Sequence, residues 1–162
     1  MYHLNDVPVP GDRIRGRSRT VTEADLVAFG SLTGDLHPQH VDRHWSESSA
    51  FGSRVAHGML VLSYSIGLIG FDPERVAALR GLDSVRFKRP VRIGETLTAE
   101  AVVREVTALE PPMSLVGFGW TVSTVEAGTV VKARVQVLWR VQAPTESAPE
   151  ADGALYPDGV LL

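Results

Sequence analysis

The pattern of apolar and polar residues changes character about halfway along the chain. Residues 56–70 (AHGMLVLSYSIGLIG) are apolar on nearly every side, and a run of this length favours a buried helix over a buried strand. Downstream, four segments carry strand-like patterns, and the last of them alternates apolar and polar positions. The predicted strands cover residues 84–91, 95–106, 114–125 and 129–140. A helix that is apolar all round must be enclosed by other elements, so we expect these strands to curl around it.

The region before the buried helix carries weaker signals. Residues 1–12 are expected to be irregular, because prolines and a glycine punctuate them. Thr22 is a suitable N-cap for a helix over residues 22–31, since acidic residues follow in its first turn. Pro38 interrupts the next segment, which is therefore predicted to form a loop. A short helical turn is predicted over residues 46–50.

Turn signals set the expected pairing of the strands. Gly94-Glu95 and residues 126–128 (EAG) are typical of hairpin connections, which implies antiparallel strands. An antiparallel sheet wrapped around one apolar helix is the α+β hot-dog fold. We expect one such domain over residues 1–142 and a flexible Pro/Ala/Glu-rich tail over residues 143–162. A single sheet of this kind leaves an edge uncovered, so a homodimer is expected.

Composition narrows the classes of function. The 162 residues, 44% of them hydrophobic, suit one globular domain. A net charge of -3 leaves no electrostatic footprint for nucleic acid. The absence of cysteine excludes disulfides, thiolate zinc sites and cysteine nucleophiles. No apolar run approaches the length of a membrane span, and the N-terminus does not resemble a signal peptide, so we expect a cytoplasmic protein that does not insert into membranes.

Residues 34–45 (GDLHPQHVDRHW) concentrate side chains that titrate. Asp35 and His40 are five positions apart, and Gly34 and Pro38 favour an arc that can aim both side chains at one point. A carboxylate and an imidazole placed in this way can take a proton from water and return it. On spacing alone, however, a solvated polar loop is the commoner explanation of such a segment.

The same segment raises the alternative of a metal site. His40 and His44 stand four residues apart, with His37 and Asp42 nearby. In a helix the two imidazoles would share a face, as they do in zinc sites. Because Pro38 interrupts the segment and no HExxH pattern is present, we predict no metal and assign Asp42 and His44 to structure.

Two further features lie outside this segment. Gly58 is at the predicted mouth of the buried helix, where unpaired backbone N–H groups can stabilise a developing oxyanion. A glycine chosen for helix packing would look the same. Residues 86–92 (RFKRPVR) place Arg86, Lys88 and Arg89 in a basic patch that suits phosphate groups, although a charged strand edge is the commoner use of such a run.

Together these segments resemble the MaoC-like, or type 2 (R-specific), enoyl-CoA hydratase family. The family motifs GDxNPxH, FGxxIAHGM and RFxxPVxxGD correspond here to GDLHPQH, FGSRVAHGM and RFKRPVRIGE, in the same order, and the resemblance covers roughly residues 13–140. It implies a hot-dog dimer that adds water across a 2-trans-enoyl-CoA to give the (R)-3-hydroxyacyl-CoA, or the reverse. It implies no metal and no cofactor; CoA or an acyl carrier holds the substrate.

The resemblance also implies roles for individual residues. The family's catalytic aspartate and histidine fall on Asp35 and His40, and the helix-mouth glycine that meets the thioester oxygen falls on Gly58. Six further residues in these motifs are expected to bind the substrate, the basic ones through CoA phosphates: Gly34, His57, Met59, Arg86, Lys88 and Arg89.

This chain departs from the family pattern at two positions. His37 stands in place of the usual asparagine, and Gln39 in place of the usual aliphatic residue. Both departures affect the hydrogen bonds within the loop and the preference for the acyl group. A serine that assists in some relatives has two candidate counterparts in the predicted helix, Ser63 and Ser65.

Two other functions compete with hydration. An acyl-CoA thioesterase would use the same oxyanion site but direct water at C1, and it would release free thiol. A non-catalytic hot-dog subunit of a heteromeric hydratase would be inactive without its partner. The presence of both Asp35 and His40 favours a catalytic chain.

Overall fold

A computed structural model of the protein describes residues 8–141. Within these residues, no helix is long and apolar enough to cross a membrane. The elements follow one another as β1 (Arg13–Thr20), α1 (Glu23–Thr33), α2 (Pro38–Val41), α3 (Arg43–Glu47), α4 (Gly58–Ile69), β2 (Val76–Phe87), β3 (Thr96–Ala108), β4 (Met113–Thr124) and β5 (Gly128–Arg140). The predicted flexible tail, residues 143–162, lies outside the described range.

Five antiparallel strands form one sheet in the order β1-β3-β4-β5-β2. The apolar helix α4 packs against the inner face of this sheet, with Leu60, Leu62 and Ile69 buried. One polar contact joins helix and sheet, since the indole N–H of Trp120 donates to Ser65 Oγ at 2.8 Å inside the core. The α+β hot-dog fold predicted from the apolar helix and the following strands is therefore confirmed.

Two expectations about the strands were wrong, and one strand was not predicted. The first strand, β1, was not predicted because only Ile14 among its residues is fully buried. The strand expected over residues 84–91 begins at Val76 and ends at Phe87. Gly94-Glu95 does not close a hairpin, because β2 pairs with β5 whereas β3 pairs with β1 and β4. The turn at residues 126–128 does connect two paired strands, as predicted.

The short helices also correct the sequence analysis. Pro38 does not exclude a helix; it begins α2, because proline at the first helical position loses no hydrogen bond. His37 caps this helix, with its Nδ1 accepting from the N–H of Gln39 at 3.2 Å. The helical turn expected over residues 46–50 lies earlier, over Arg43–Glu47, and Asp42 caps it by accepting from Trp45 N–H at 2.9 Å.

Strand β2 is irregular along its length. Its pairing with β5 shifts three times, and at each shift β2 uses one residue more than its partner. The last shift, between Asp83 and Arg86, includes Ser84 in the left-handed region with a φ of 53°. Extra residues of this kind bend a strand and increase its twist, and at the end of β2 the ring of Phe87 lies against Gly58 of α4.

Candidate active site

A cavity of about 670 Å³ lies where the N-terminus of α4, the α1–α2 connection and the end of β2 meet. Its walls are mostly apolar, and its polar groups come from a few side chains. Both members of the predicted acid–base pair line it, together with Gly58. The other lining residues are Phe29, Thr33, Gln39, Phe51, Val55, Ala56, His57, Met59, Val61, Phe87, Lys88, Arg89, Pro90, Val91 and Val131.

Asp35 follows Gly34, the C-cap residue of α1, and its side chain lines the cavity. Gly34 ends that helix in the left-handed conformation, with a φ of 77°, and its N–H donates to the carbonyl of Gly30 at 2.8 Å. This cap is the observed role of Gly34, which does not line the cavity. The Asp35 carboxylate remains 53% exposed and accepts only a long hydrogen bond, 3.4 Å, from His37 N–H. Its oxygens are thus available to a water or a substrate.

His40 is buried, and its contacts define which nitrogen carries the proton. Its Nδ1 lies 2.7 Å from the carbonyl oxygen of Val55, and a carbonyl only accepts, so Nδ1 is the protonated nitrogen. In the neutral ring Nε2 therefore presents its lone pair to the cavity. That atom lies 3.9 Å from Asp35 Oδ2 and 2.9 Å from the side-chain nitrogen of Gln39.

The surroundings of His40 favour the neutral imidazole. Burial lowers the pKa of His40 below its ordinary value of 6.5, and the neighbouring His57 lowers it further. The bond to Val55 and the charge of Asp35 oppose this shift without cancelling it. Near neutral pH the side chain is consequently an uncharged base with its lone pair on Nε2, which suits proton abstraction.

The side chain of His57 contacts both catalytic candidates, His40 and Asp35. Its ring stacks on His40, with the ring centroids 3.7 Å apart, and its Nε2 donates to the main-chain oxygen of Asp35 at 2.9 Å. Gly30 permits this approach, because a Cβ there would lie 3.2 Å from that same oxygen. The other nitrogen of His57, Nδ1, is buried without a hydrogen-bond partner. His57 is therefore held in a fixed orientation by its stacking on His40 and its bond to Asp35.

Gly58 is the first residue of α4, as predicted for a helix-mouth glycine. The first N–H groups of a helix have no partner inside the helix, and Gly58 borders the cavity at this end. The ring of Phe87 packs over it so closely that a Cβ on Gly58 would lie 2.9 Å from a ring carbon. A glycine is needed here both for this contact and for the approach of an acceptor to the N–H.

The remaining predicted site residues divide into two groups. Met59, Lys88 and Arg89 line the cavity. Arg86 does not line it, and its guanidinium donates to the adjacent carbonyl of Val85 at 3.0 Å. The two serines considered from sequence also lie elsewhere: Ser65 is in the core and Ser63 is exposed on α4.

The geometry argues against a shared metal ligand set at this position. Asp35, His40 and His57 each offer a donor atom, and these atoms lie within 4.8 Å of one another. Because the two imidazoles are stacked with an interplanar angle of 24°, their in-plane lone pairs do not converge on one ion, as zinc coordination requires. His40 and His44, weighed as a pair from sequence, lie on different helices.

Sequence reasoning missed several residues that shape the site. The Val55 carbonyl sets the tautomer of His40, and no sequence signal distinguishes one carbonyl from another. From the sequence Gly30 was assigned only to the end of a helix, whereas in the structure it leaves room for the bond between His57 and Asp35. Gln39 was noted as a departure from the family pattern, but its contact with Nε2 was not foreseen.

Comparison with known proteins places the chain in a family. Residues 6–117 match the family described as MaoC like domain. An (R)-specific enoyl-CoA hydratase from Rhodospirillum rubrum is 33% identical over 121 residues, which cover 75% of this chain and 81% of that protein.

Solved structures are similar to this chain in fold. A monoamine oxidase regulatory protein from an Archaeoglobus species has a TM-score of 0.77 and 35% identity, covering 84% of this chain and 92% of that chain. A two-subunit complex from Mycobacterium tuberculosis has a TM-score of 0.65 over 83% of this chain and 100% of that chain; at 17% identity it shows the fold alone. The chain therefore belongs to the MaoC-like domain family and, with its hydratase relative, to the hydro-lyase class of enzymes.

Proposed function

We propose that the protein is an (R)-specific enoyl-CoA hydratase, which works in reverse as a 3-hydroxyacyl-thioester dehydratase. One observation carries the proposal: the cavity brings Asp35 and the neutral face of His40 together with the N-terminus of α4 at Gly58. A base, a carboxylate and an oxyanion site are the groups that addition of water to an enoyl thioester needs. The hydratase relative from Rhodospirillum rubrum supports the same chemistry.

The hydration step uses these groups in a defined order. The NH2 of Gln39, which lies 2.9 Å from His40 Nε2, first turns away, and one water then lies between Asp35 Oδ2 and Nε2, two atoms 3.9 Å apart. As its oxygen bonds to C3 of the enoyl group, its proton passes to Nε2 and the C2–C3 π electrons move toward the thioester oxygen. The N–H of Gly58 donates to that oxygen and stabilises the enolate.

The second proton transfer completes the reaction. The enolate collapses, its C2 takes a proton returned by the Asp35–His40 pair on the same face, and the thioester carbonyl re-forms. The pair thereby returns to its starting state, so no cofactor is consumed and the dehydration direction follows the same steps backwards. The two groups share the protons, and the pH dependence of the rate reports the pair rather than either residue.

The basic residues at the cavity support a thioester carried on a phosphorylated handle. Lys88 and Arg89 line the opening, and their charges suit the phosphates of CoA or of a carrier's phosphopantetheine. Replacing either with alanine raises the KM for an enoyl-CoA and leaves kcat nearly unchanged. Arg86, which does not line the cavity, is the matched control.

We also propose that the active form is a homodimer joined along β2. The two edges of the sheet differ: β1 carries Arg13, Arg15, Arg17 and Arg19 along its length, while β2 exposes Leu79 and Leu82 together with one acidic and one basic residue, Asp83 and Arg86. Charged edges resist strand pairing, and apolar edges favour it. A mass in solution corresponding to one chain at micromolar concentration would contradict the dimer.

The function is tested by hydration of crotonyl-CoA with the purified chain and chiral analysis of the product. We expect (R)-3-hydroxybutyryl-CoA, and a loss of at least ~10²-fold in kcat for His40→Gln. The matched control is His44→Gln, an exposed histidine four residues away on α3, which keeps normal activity. Release of free thiol from saturated acyl-CoAs without hydration would show a thioesterase instead. An inactive, folded chain would show a non-catalytic subunit.

A further inference from the structure

Gln39, to which no catalytic role has been assigned, contacts the lone pair of His40 Nε2. Gln39 lies in the cavity wall, and its side-chain nitrogen is 2.9 Å from His40 Nε2. Because the Val55 carbonyl fixes the proton on Nδ1, Nε2 can only accept. The group of Gln39 that faces it is therefore the NH2, which donates.

The main chain holds Gln39 in place for this contact. Its N–H donates to Nδ1 of His37 at 3.2 Å, and its carbonyl accepts from the N–H of Val55 at 3.1 Å. Both bonds tie Gln39 to segments that also hold His40, so the carboxamide moves only through its own side-chain torsions. An aliphatic side chain at this position would leave Nε2 without a partner inside the protein.

The contact has opposite consequences in the two protonation states of the ring. A donor to neutral Nε2 opposes its protonation, and so adds to the effect of burial. The one lone pair of Nε2 serves either Gln39 or the catalytic water, so the carboxamide turns away before Nε2 takes the water's proton. The hydroxyl oxygen then bonds to C3, and the new N–H needs an acceptor. Asp35 Oδ2 is 3.9 Å away, beyond hydrogen-bond distance, whereas the Gln39 oxygen comes into place by rotation of the carboxamide through about 180°.

We propose that Gln39 is a positioning residue for His40: its NH2 donates to neutral Nε2 until the catalytic water takes its place, and its oxygen accepts from Nε2–H after the ring has been protonated. The catalytic part of this statement rests on the proposed hydratase function; the contact itself does not. Three other side chains act on the same ring, namely Asp35, His37 and the stacked His57. The cations Lys88 and Arg89 line the same cavity.

The contact is tested first without substrate, by titrating ¹⁵N-labelled histidines of the full chain in long-range ¹H–¹⁵N spectra. Comparison with His40→Gln assigns the His40 signals. We expect the Nδ1–H tautomer in the wild type. The isosteric Gln39→Glu variant, which places a carboxylate against Nε2, raises the pKa of His40 by about one unit or more. Gln136→Glu, which adds the same charge on β5, leaves that pKa unchanged.

The kinetic arm uses Gln39→Leu, which restores an aliphatic side chain. Because a hydrogen bond to the protonated ring is lost, kcat falls about tenfold while KM stays within about twofold. In the spectra the Nε2 resonance of this variant moves toward that of a nitrogen without a hydrogen bond. An unchanged His40 pKa in Gln39→Glu, or an unchanged Nε2 resonance in Gln39→Leu, would overturn the proposal.

The two proposals fail separately. If the chain hydrates no enoyl-CoA but the titration gives the expected shifts, the hydratase function is wrong and the contact of Gln39 with His40 stands. If the enzyme is an active hydratase whose kcat is the same in Gln39→Leu, the positioning role of Gln39 is wrong and the hydratase function stands.

Discussion

Two aspartates ten residues apart, at opposite ends of α1, are treated in opposite ways by the fold. Asp25 is only 8% exposed, and both of its oxygens accept hydrogen bonds: from Tyr64 at 2.6 Å and Arg19 at 2.7 Å, and from the N–H and hydroxyl of Thr22 at 2.7 and 2.8 Å. The carboxylate of Asp35 is half-exposed and accepts no hydrogen bond shorter than 3.4 Å. The first carboxylate is saturated with donors, and the second is kept open.

The difference separates a structural carboxylate from a chemical one. Burial alone would raise the pKa of Asp25, but the bonds from Tyr64, Thr22 and Arg19 lower it far below its ordinary value of 3.8. Such a group cannot exchange a proton near neutral pH. Asp35 keeps free lone pairs beside the neutral ring of His40, which is the condition for handling water.

The strongest test of the comparison is Asp35→Asn. The amide cannot accept a proton, so kcat for crotonyl-CoA hydration is expected to fall by at least ~10²-fold. The free energy of unfolding stays within about 0.5 kcal/mol of the wild type, because an exposed carboxylate with one long hydrogen bond is replaced. Urea unfolding and steady-state kinetics measure both quantities. A stability loss matching the activity loss would show that the two aspartates are alike.

The reciprocal variant, Asp25→Asn, should affect stability instead. It leaves Arg19 and the Tyr64 hydroxyl without their anionic acceptor, and we expect the free energy of unfolding to fall by about 2 kcal/mol. The activity per folded molecule is expected to remain within a few-fold of the wild type. Activity lost at temperatures where circular dichroism shows a fully folded protein would contradict this separation.

The pH dependence of stability further distinguishes Asp25 from His40, the ring that lies beside Asp35. The pKa of His40 is lowered in the folded state, so the unfolded chain binds the extra proton; stability is full above the ordinary value of 6.5 and is lost as pH falls below it. The lowered pKa of Asp25 acts in the same direction, but only below the ordinary value of 3.8. Urea titrations at a series of pH values are expected to lose the upper step in His40→Gln and the lower step in Asp25→Asn. If His40→Gln steepens the loss below pH 6.5, the folded state favours the imidazolium.

The smallest effect is expected at Gly30, which lies beside the open aspartate. In Gly30→Ala the added Cβ lies 3.2 Å from Asp35 O and 3.7 Å from His57 Nε2. The atoms must shift by a few tenths of an ångström, which lengthens the bond between them and lowers kcat by about three- to tenfold. The matched control is Gly67→Ala on α4, where the added Cβ meets no atom within 4 Å. Equal kcat values in the two variants would contradict the positioning of Asp35 by His57.

Elements with a local signal could be predicted from the sequence. The apolar run of α4 and the alternation of β5 reflect burial on all sides and on one face, and both were correct. Strand β1 could not be found in this way, since it lies at a sheet edge and is mostly exposed. Pro38 was expected to exclude a helix, but proline breaks only the interior of a helix and is favoured at its first position.

The candidate site shows the same limit. Asp35, His40 and Gly58 could be proposed because their motifs are contiguous and resemble those of a family. The tautomer of His40 could not, because it depends on a carbonyl at Val55 that is brought close only by the fold. The stacking of His57 on His40 and the bond to Gln39 are likewise set by three-dimensional placement, which periodicity and spacing do not report.

The three extra residues of β2 have a consequence for the cavity wall. Directly paired residues of an antiparallel sheet share a face. Phe87 pairs with Val131, and both line the cavity. The three shifts in register lie before this pair, so the extra residues lengthen β2 without changing which face Phe87 occupies. Loss of one extra residue at a shift would therefore shorten the strand and leave Phe87 opposite Val131, so this part of β2 can change in length while the wall over Gly58 is kept.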